Sequence, residues 1–384
     1  MIKLIFGYIK GIGRTKFGVL DETLEELIEI AIKEALRDAN LKVEDIDIIF
    51  ISNFLYGIIA NQLHLNTLLN NSVNFVGKPI FRTESACASG GSAFFQGLLS
   101  LKRYENALIV GVEKMTDIDI KLITKALASA GKIDLYFQEG FIFPAAFALI
   151  AQQHMIKYGT TREDLELVAL KNHENARLNS FAHFFNKQVS IEDIRNSQDI
   201  CTPLKLYDCS PISDGAVAII ITRKKSSSRD IEVIGSSFCT DYISFIDRND
   251  FTSFTSVQRA AAEAYKQANI NPEVLDLIEV HDCFTISELI ALEDLKICIP
   301  GNSKGLIRSG AINRNGRIPV NTDGGLKGNG HPVGATGLAQ IFEIVTQLRG
   351  EAGERQIDTP KLALTHNIGG FGSSAAIHIF KGNK

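Results

Sequence analysis

Cys87 is the residue of this sequence with the clearest potential as a nucleophile. Small residues follow it, and then apolar residues three and four positions apart, which predicts that the thiol lies at or just before a helix N-terminus. Free backbone N–H groups and the helix dipole favour the reactive thiolate there. Gly90 and Gly91 leave space for a substrate carbonyl to approach the backbone. The alternative is a structural cysteine on a small-residue packing face, because free cysteine is among the most buried residue types.

Three further polar clusters could complete a reactive site. They are His281-Asp-Cys-Phe284, Gly330-His331-Pro332 and the histidine- and glycine-rich stretch 366–372. A histidine held between glycine and proline, as His331 is, can deprotonate a nearby thiol. The stretch 370–375 fits the letters of a dinucleotide fingerprint, but no crossover helix or ribose-binding acid follows, so we reject that interpretation. Its glycines instead indicate backbone N–H groups of the kind that an oxyanion hole needs.

An internal repeat positions these clusters. An amphipathic helix at 23–39 and a strand at 46–54 are echoed by the helix 257–268 and the strand that follows it. The run that starts at Cys87 leads into a helix and a strand, and the run that starts at His331 does the same. The duplication therefore predicts that Cys87 and His331 occupy equivalent positions and face each other across a pseudo-twofold axis. The alternative is chance similarity between two common helix–strand units.

The chain is long enough for two similar units, and alternating helices and apolar strands indicate an α/β fold with sheets covered by helices. We predict an N-terminal half formed by 1–116 and 204–222, a loop domain at 117–203 and a C-terminal half at 226–384. Within the loop domain, the polar, asparagine-rich stretch 171–200 is interpreted as an excursion over the surface. The charged run 223–230 is a solvated linker between the halves.

Composition excludes several classes of protein. The hydrophobic fraction is 45% and the net charge is −4, so no basic excess indicates nucleic acid or an anionic membrane. No apolar run is long enough to cross a bilayer, and glycine and lysine interrupt the opening residues too early for a secretory signal. The six cysteines lack C-x-x-C spacing, which predicts neither disulfides nor a metal site. We therefore expect reduced thiols and a cytoplasmic protein.

Several motifs in the same order resemble the thiolase superfamily, and the match runs nearly end to end. The N-terminal motif is Glu84-Ser-Ala-Cys87-Ala-Ser-Gly, and the later ones are Asn321-Thr-Asp-Gly-Gly, Gly330-His-Pro-Val-Gly-Ala-Thr-Gly337 and Asn367-Ile-Gly-Gly. The segments Gly11–Gly18, His281–Phe284 and Asp208–Gly215 resemble the branch that contains sterol-carrier-type thiolases and archaeal acetyl-CoA C-acetyltransferases. The resemblance implies a thiolase-like duplicated αβαβα layered fold with an inserted loop domain.

The resemblance also implies an acetyl-CoA C-acyltransferase that makes or cleaves acetoacetyl-CoA or another 3-ketoacyl-CoA. Cys87 would carry the acyl group as a thioester after His331 accepts its proton. In most thiolases a cysteine of a C-terminal Cys-x-Gly motif is the second base, but this chain has Asn367 there, which cannot titrate. In the branch that this chain resembles, the cysteine of the His-Asp-Cys-Phe loop takes over, which is Cys283.

The family pattern assigns the remaining site groups. His281 and His331 would bind the thioester oxygen where enolate charge develops. The backbone N–H groups of Cys87 and Gly369 would form the oxyanion hole of the acyl-enzyme. Coenzyme A thioesters would be substrates rather than a resident cofactor, and no metal is expected. The other cysteines and histidines are interpreted as structural or surface residues: Cys201, Cys209, Cys239, Cys298, His64, His154, His173, His183 and His378.

Two other functions remain open at the sequence level. A decarboxylating ketoacyl synthase joins a cysteine nucleophile to a His/His or His/Asn pair and needs no second cysteine. Alternatively, the chain is a thiolase subunit that is active only with a zinc-ribbon/OB-fold protein, sometimes alongside HMG-CoA synthase. By resemblance we also expect a homodimer or tetramer and a role in lipid metabolism as a source of isoprenoid precursors.

Overall fold

The computed structural model describes residues 6–136, 140–244 and 247–383, so the first five residues of the opening segment lie outside it. The N-terminal part contains β1 (Gly7–Arg14), α1 (Leu24–Ala39), β2 (Ile48–Ser52), α2 (Tyr56–Ile59), α3 (Leu65–Ser72), β3 (Ile80–Thr83), α4 (Ser89–Ser100) and β4 (Asn106–Glu113). The middle part contains α5 (Ile120–Ala128), α6 (Ile133–Tyr136), α7 (Phe143–Tyr158), α8 (Arg162–Ala176), α9 (Ile191–Arg195), β5 (Asp199–Cys201), β6 (Leu204–Lys205) and β7 (Gly215–Thr222). The C-terminal part contains β8 (Ile231–Thr240), α10 (Thr255–Ala268), β9 (Leu277–Glu279), α11 (Thr285–Asp294), α12 (Ser303–Arg308), α13 (Gly325–Asn329), α14 (Thr336–Arg349), β10 (Leu362–Gly369) and β11 (Ser374–Lys381).

Two equivalent sets of strands join edge to edge in the described residues. The order is β3-β2-β4-β7-β1 in one set and β8-β11-β10-β9 in the other, and antiparallel pairing of β1 with β8 connects them. In the first set β2 lies between β3 and β4 and is parallel to both. In the second set β9 is parallel to β10, and a single parallel bridge from Ile278 to Val320 takes the place of the outer strand. The structure therefore contains the predicted duplication.

Alternating side chains of the strands separate the molecule into layers. In β2, Ile49 and Ile51 pack against α1, whereas Ile48 and Phe50 pack towards α4 and α14. Every residue of α14 is buried, because this helix packs against strands of both sets, β1 and β7 in the first and β9 and β10 in the second. Helices α10 and α11 cover the outer face of the second set of strands. The arrangement confirms the predicted αβαβα fold.

Matching caps end the two equivalent outer helices. Thr23 and Glu26 form a capping box at the start of α1, which agrees with the predicted helix at 23–39. Asn40 ends α1 and Asn269 ends α10, both with left-handed backbone, a conformation that asparagine tolerates better than most residues. The sequence echo therefore corresponds to the same local structure at the same place in each half.

The segment 117–203 is mostly helical, and its helices α7 and α8 supply Phe147, Ile150 and Leu165 to the core that α10 and α11 also line. The prediction that the polar stretch 171–200 runs over the surface is wrong up to residue 182, where most residues are buried, whereas most residues beyond it are at least partly exposed. The polar side chains that suggested a solvated loop are partly buried as well, because Lys171 forms an ion pair with buried Glu288. The predicted domain boundaries stay a prediction.

The central helices α4 and α14 approach most closely at glycines. A Cβ on Gly337 would lie 2.5 Å from the backbone nitrogen of Gly91 and 2.3 Å from Oδ1 of Asn367. This contact brings the starts of both helices, and the residues just before them, to one seam. None of the helices in the described ranges is both long and apolar enough to span a bilayer.

Candidate active site

A tight turn between β3 and α4 presents Cys87. Ala86 adopts a φ of 49°, an uncommon conformation for a residue with a side chain, and the hydroxyl of Ser89 stabilises the turn. That hydroxyl accepts from the backbone N–H of Ser85 and donates to the carbonyl of Ala86, at 2.9 and 2.6 Å. The Cys87 side chain therefore leaves the chain two residues before the helix begins, as predicted.

The resting form of Cys87 is the thiol, which corrects the expectation of a thiolate. Burial raises the pKa of Cys87 to about 12, and the negative charge of nearby Glu113 also opposes ionisation. Hydrogen bonds from the backbone N–H groups of Gly370 and of Cys87 itself act in the other direction but do not compensate. The loss of hydration outweighs the helix dipole, so a base has to remove the proton when the substrate reacts.

His331 is placed to be that base. Its backbone N–H donates to Ser213, and its Nδ1 lies 2.7 Å from the hydroxyl of Thr336 in the first turn of α14. Burial lowers the pKa of His331 to about 3, so the ring is neutral at physiological pH. The Thr336 hydroxyl donates to the Pro332 carbonyl at 3.0 Å, so it accepts from Nδ1 of His331, and the Nε2 lone pair is left to accept a proton.

The loop after β9 carries His281 and Cys283. Between them, the carboxylate of Asp282 accepts from the backbone N–H of Leu326 at 2.6 Å and from Nδ2 of Asn172 at 2.7 Å. Asp282 therefore ties the loop to α8 and α13. The pKa of Cys283 lies well above its ordinary value, because the thiol is buried and lies near Cys87.

Cys87, His281, His331 and Cys283 converge, as predicted. One ring nitrogen of each histidine and the sulfur of Cys87 lie within 4.8 Å of one another, and the two rings meet edge to face with centroids 5.2 Å apart. Cys87, His331 and Cys283 line a cavity of about 210 Å³. The other residues that line this cavity are mostly apolar: Phe54, Thr124, Leu127, Ile142, Phe143, Pro144, Cys209, Ser210, Ile212, Phe284 and Gly370.

Cys87, His281 and His331 also form the one group of side chains in the described ranges with ligand atoms close enough to hold a metal ion. A Cys-His-His set is chemically suited to zinc. An ion on these atoms would occupy the lone pairs of both histidines and block the nucleophile. The prediction that the site holds no metal stays a prediction.

Asn367 joins the nucleophile turn to His281. Its Nδ2 donates to the backbone carbonyl of Cys87 at 2.9 Å and to Nδ1 of His281 at 3.1 Å, and its Oδ1 accepts from the N–H of Gly91 at 3.1 Å. The sequence places Asn367 where most thiolases have a cysteine base and gives it no role of its own. Its place in the Asn-x-Gly-Gly motif was the available signal for a site residue.

Glu113 is a second residue that the sequence did not indicate. This fully buried carboxylate accepts from Phe54 N and Leu55 N, both at 3.0 Å, from Gly334 N at 2.9 Å and from the side chain of Asn53 at 2.8 Å. It therefore holds the end of β2 against the loop that carries His331. Burial raises the pKa of Glu113 to about 7 despite these donors.

Cys209, interpreted from the sequence as a structural or surface residue, lines the same cavity as Cys87, His331 and Cys283. Gly369, predicted in the oxyanion hole, packs closely against the nucleophile turn, since a Cβ there would lie 2.3 Å from the Ser85 carbonyl oxygen. The amide that bonds the Cys87 sulfur is that of the next residue, Gly370. The role of Gly369 in the oxyanion hole stays a prediction.

Comparison with protein families and curated proteins agrees with this geometry. A family model described as "Thiolase, N-terminal domain" matches residues 8–225, and one described as "Thiolase C-terminal domain-like" matches residues 238–382. The chain is 41% identical to an acetyl-CoA acetyltransferase of Methanothermobacter thermautotrophicus, over 96% of this chain and 98% of that protein. It is 30% identical to human sterol carrier protein 2, over 97% of this chain and 71% of that protein.

Solved structures share the fold. An Ltp2-ChsH2(DUF35) aldolase superimposes with a TM-score of 0.86 at 22% identity, and covers 100% of this chain and 99% of the other. Human mitochondrial 3-ketoacyl-CoA thiolase superimposes with a TM-score of 0.75 at 19% identity, over 99% of this chain and 100% of the other. At these identities the comparisons establish the fold alone.

Proposed function

The chain belongs to the thiolase superfamily, and we propose that it cleaves and forms 3-ketoacyl-CoA thioesters, acetoacetyl-CoA in particular, through an acyl-enzyme on Cys87. It is an acyltransferase of the acetyl-CoA acetyltransferase type. One observation supports the residue assignment above all: Cys87, Cys283 and His331 line the same small cavity.

Cleavage begins from the protonation states of the resting enzyme. Neutral His331 takes the proton of Cys87 while the sulfur attacks the 3-keto carbonyl. The backbone N–H groups of Cys87 and Gly369 stabilise the developing oxyanion in this proposal. The carbon–carbon bond then breaks, which leaves an acyl thioester on Cys87 and the enolate of acetyl-CoA. The thiol of Cys283 protonates the enolate carbon, while His281 donates a hydrogen bond to the thioester oxygen.

The second half-reaction restores both thiols. Free CoA gives its thiol proton to the Cys283 thiolate and attacks the acyl-enzyme. Cys87 leaves as a thiolate and recovers its proton from His331. Condensation is the reverse of this sequence. Acetyl-CoA first acylates Cys87 while the Cys283 thiol protonates the leaving CoA, and the Cys283 thiolate then removes an α-proton from a second acetyl-CoA, whose enolate attacks the acyl-enzyme.

Two observations favour this reaction over a decarboxylating ketoacyl synthase. Both Nδ2 hydrogens of Asn367 are already donated, to Cys87 and to His281, so this amide has no N–H group for a substrate oxygen. A decarboxylating enzyme also needs no second thiol, whereas Cys283 faces the cavity here. Both features fit a mechanism in which the second base is Cys283.

Replacement of Cys283 tests the assignment. In Cys283→Ala, intact-protein mass spectrometry should still detect an acetyl group on Cys87 after incubation with acetyl-CoA. Acetoacetyl-CoA cleavage should fall about 10²- to 10⁴-fold, as expected for loss of a general acid–base group. Cys298→Ala, at a half-buried cysteine away from the cavity, is the matched control and should keep its activity. Full condensation in Cys283→Ala would remove Cys283 from the mechanism, and activity of that variant on malonyl thioesters would favour the ketoacyl synthase.

The remaining assignments belong to the same proposal. We propose acyl-CoA and CoA as substrates, no separate cofactor, a homodimer or tetramer, and a cytoplasmic location that fits six free cysteines. A role in lipid metabolism and isoprenoid precursor supply is part of it. Dependence on a zinc-ribbon/OB-fold partner is the alternative, and cleavage of acetoacetyl-CoA by the purified chain alone would exclude it.

A further inference from the structure

We propose that Asn367 is a positioning residue that fixes the tautomer of His281, so that the Nε2–H of this ring donates to the thioester oxygen on which enolate charge develops. The inference rests on the proposed function for the role of His281. It identifies Asn367 as the residue that determines which nitrogen of the His281 ring carries the proton. It also gives a reason why this chain has an amide at the position where most thiolases have their cysteine base.

The orientation of the Asn367 amide follows from its backbone partners. Gly91 offers only an N–H and Cys87 offers only a carbonyl, so the oxygen of the amide faces Gly91 and its nitrogen faces Cys87. The second hydrogen on that nitrogen points to Nδ1 of His281 at 3.1 Å. Nδ1 of His281 is therefore an acceptor and carries no proton.

The proton of the His281 ring must then be on Nε2. The ring is neutral, because burial and the neighbouring rings of His331 and His366 hold the pKa of His281 well below its ordinary value. A neutral imidazole has one N–H, and Asn367 excludes it from Nδ1. The other ring nitrogen, Nε2, is left to donate into the site.

The same strand also fixes the backbone of the His281 loop. The backbone N–H of His281 donates to Nδ1 of His366 at 3.2 Å, one residue before Asn367. Both the main chain and the ring of His281 are thus held by consecutive residues of β10. A cysteine at position 367 could not make the three hydrogen bonds of the amide.

The first test reads the tautomer in the resting enzyme, without substrate. In protein labelled with ¹³C and ¹⁵N at histidine, the ¹³Cδ2 shift distinguishes the two neutral tautomers, and loss of one signal in His281→Asn assigns the resonance. We expect the Nε2–H tautomer for His281. The Nδ1–H tautomer would overturn the proposal, and this result would not depend on whether the chain is a thiolase.

The second test reverses the hydrogen bond. In Asn367→Asp both side-chain oxygens accept, so the proton of His281 should move to Nδ1. Exchange of the acetyl-CoA methyl protons with D₂O, which reports enolate formation, should fall about 10²- to 10³-fold, as for loss of one oxyanion donor. Acetylation of Cys87 by acetyl-CoA should fall less than about tenfold.

Gln340→Met is the matched control. Gln340 also donates a buried amide hydrogen bond to the β10 backbone, to the His366 carbonyl at 2.9 Å, but its amide is not hydrogen-bonded to the His281 ring. It should leave both rates nearly unchanged. Equal loss of exchange and acetylation in Asn367→Asp, with the His281 tautomer unchanged, would show a merely structural role. If Asn367→Asp does not fold, the tautomer of the wild-type ring decides the question.

Discussion

Alkylation of Cys87 as a function of pH tests the electrostatics of the site. Only the thiolate reacts with iodoacetamide, and a pKa of about 12 leaves on the order of one thiol in 10⁵ ionised at pH 7. The ionised fraction grows about tenfold with each pH unit below the pKa. The rate at Cys87 should therefore rise about 10³-fold between pH 7 and pH 10 without levelling off.

The assay follows the modified Cys87 peptide by mass spectrometry, because other buried cysteines share the high pKa. Cys87→Ala identifies the peptide, and N-acetylcysteine shows the plateau of an ordinary thiol. Far-UV circular dichroism checks that the fold persists at high pH, since the chain contains no tryptophan. A plateau below pH 9, or a rate at pH 7 above that of N-acetylcysteine, would show that the helix dipole and His331 stabilise a resting thiolate and would refute the reasoning.

Three further predictions concern stability. Gly337→Ala should lower the free energy of unfolding by more than about 2 kcal/mol in urea titrations, because its Cβ would overlap Asn367. Gly305→Ala, in open space on α12, is the control and should be neutral or stabilising. Equal effects of the two substitutions would contradict the close contact between α4 and α14. Glu113→Gln should cost about 1 to 3 kcal/mol in the same assay, because its NH₂ group would face backbone donors. Burial lowers the pKa of His378 to about 3. Below pH 6.5 the unfolded chain therefore binds a proton that the native state does not, and the free energy of unfolding decreases as the pH is lowered. His378→Gln should make this slope shallower by about 1.4 kcal/mol per pH unit between pH 6 and 4, and an unchanged slope would contradict it.

The identity of the reactive groups could be predicted from local sequence. Cys87 before a run of small residues, His331 between glycine and proline, and Cys283 beside His281 are each recognisable within a few residues. The internal repeat then predicted that Cys87 and His331 occupy equivalent positions in the two halves. Short motifs and helix periodicity carry this information because they depend on neighbours close in the chain.

The environment of those groups could not be predicted in the same way. The stretch 171–200 looked solvated because its polar residues are frequent, but their partners, such as Glu288 for Lys171, lie far away in the chain. The pKa of Cys87 was expected to be low from the helix start alone. Burial of the Cys87 side chain raises this pKa instead, because desolvation depends on everything packed around the sulfur.

The sequence by itself determined which side chains this protein has for acyl transfer and the order in which two similar halves supply them. Only the tertiary structure decided their protonation and orientation. Asn367 is an amide in any fold, but it sets the proton of His281 only because Gly91, Cys87 and β10 meet at one seam. Hydrogen-bond direction and loss of hydration arise from contacts between residues distant in the chain, and for that reason local sequence does not contain them.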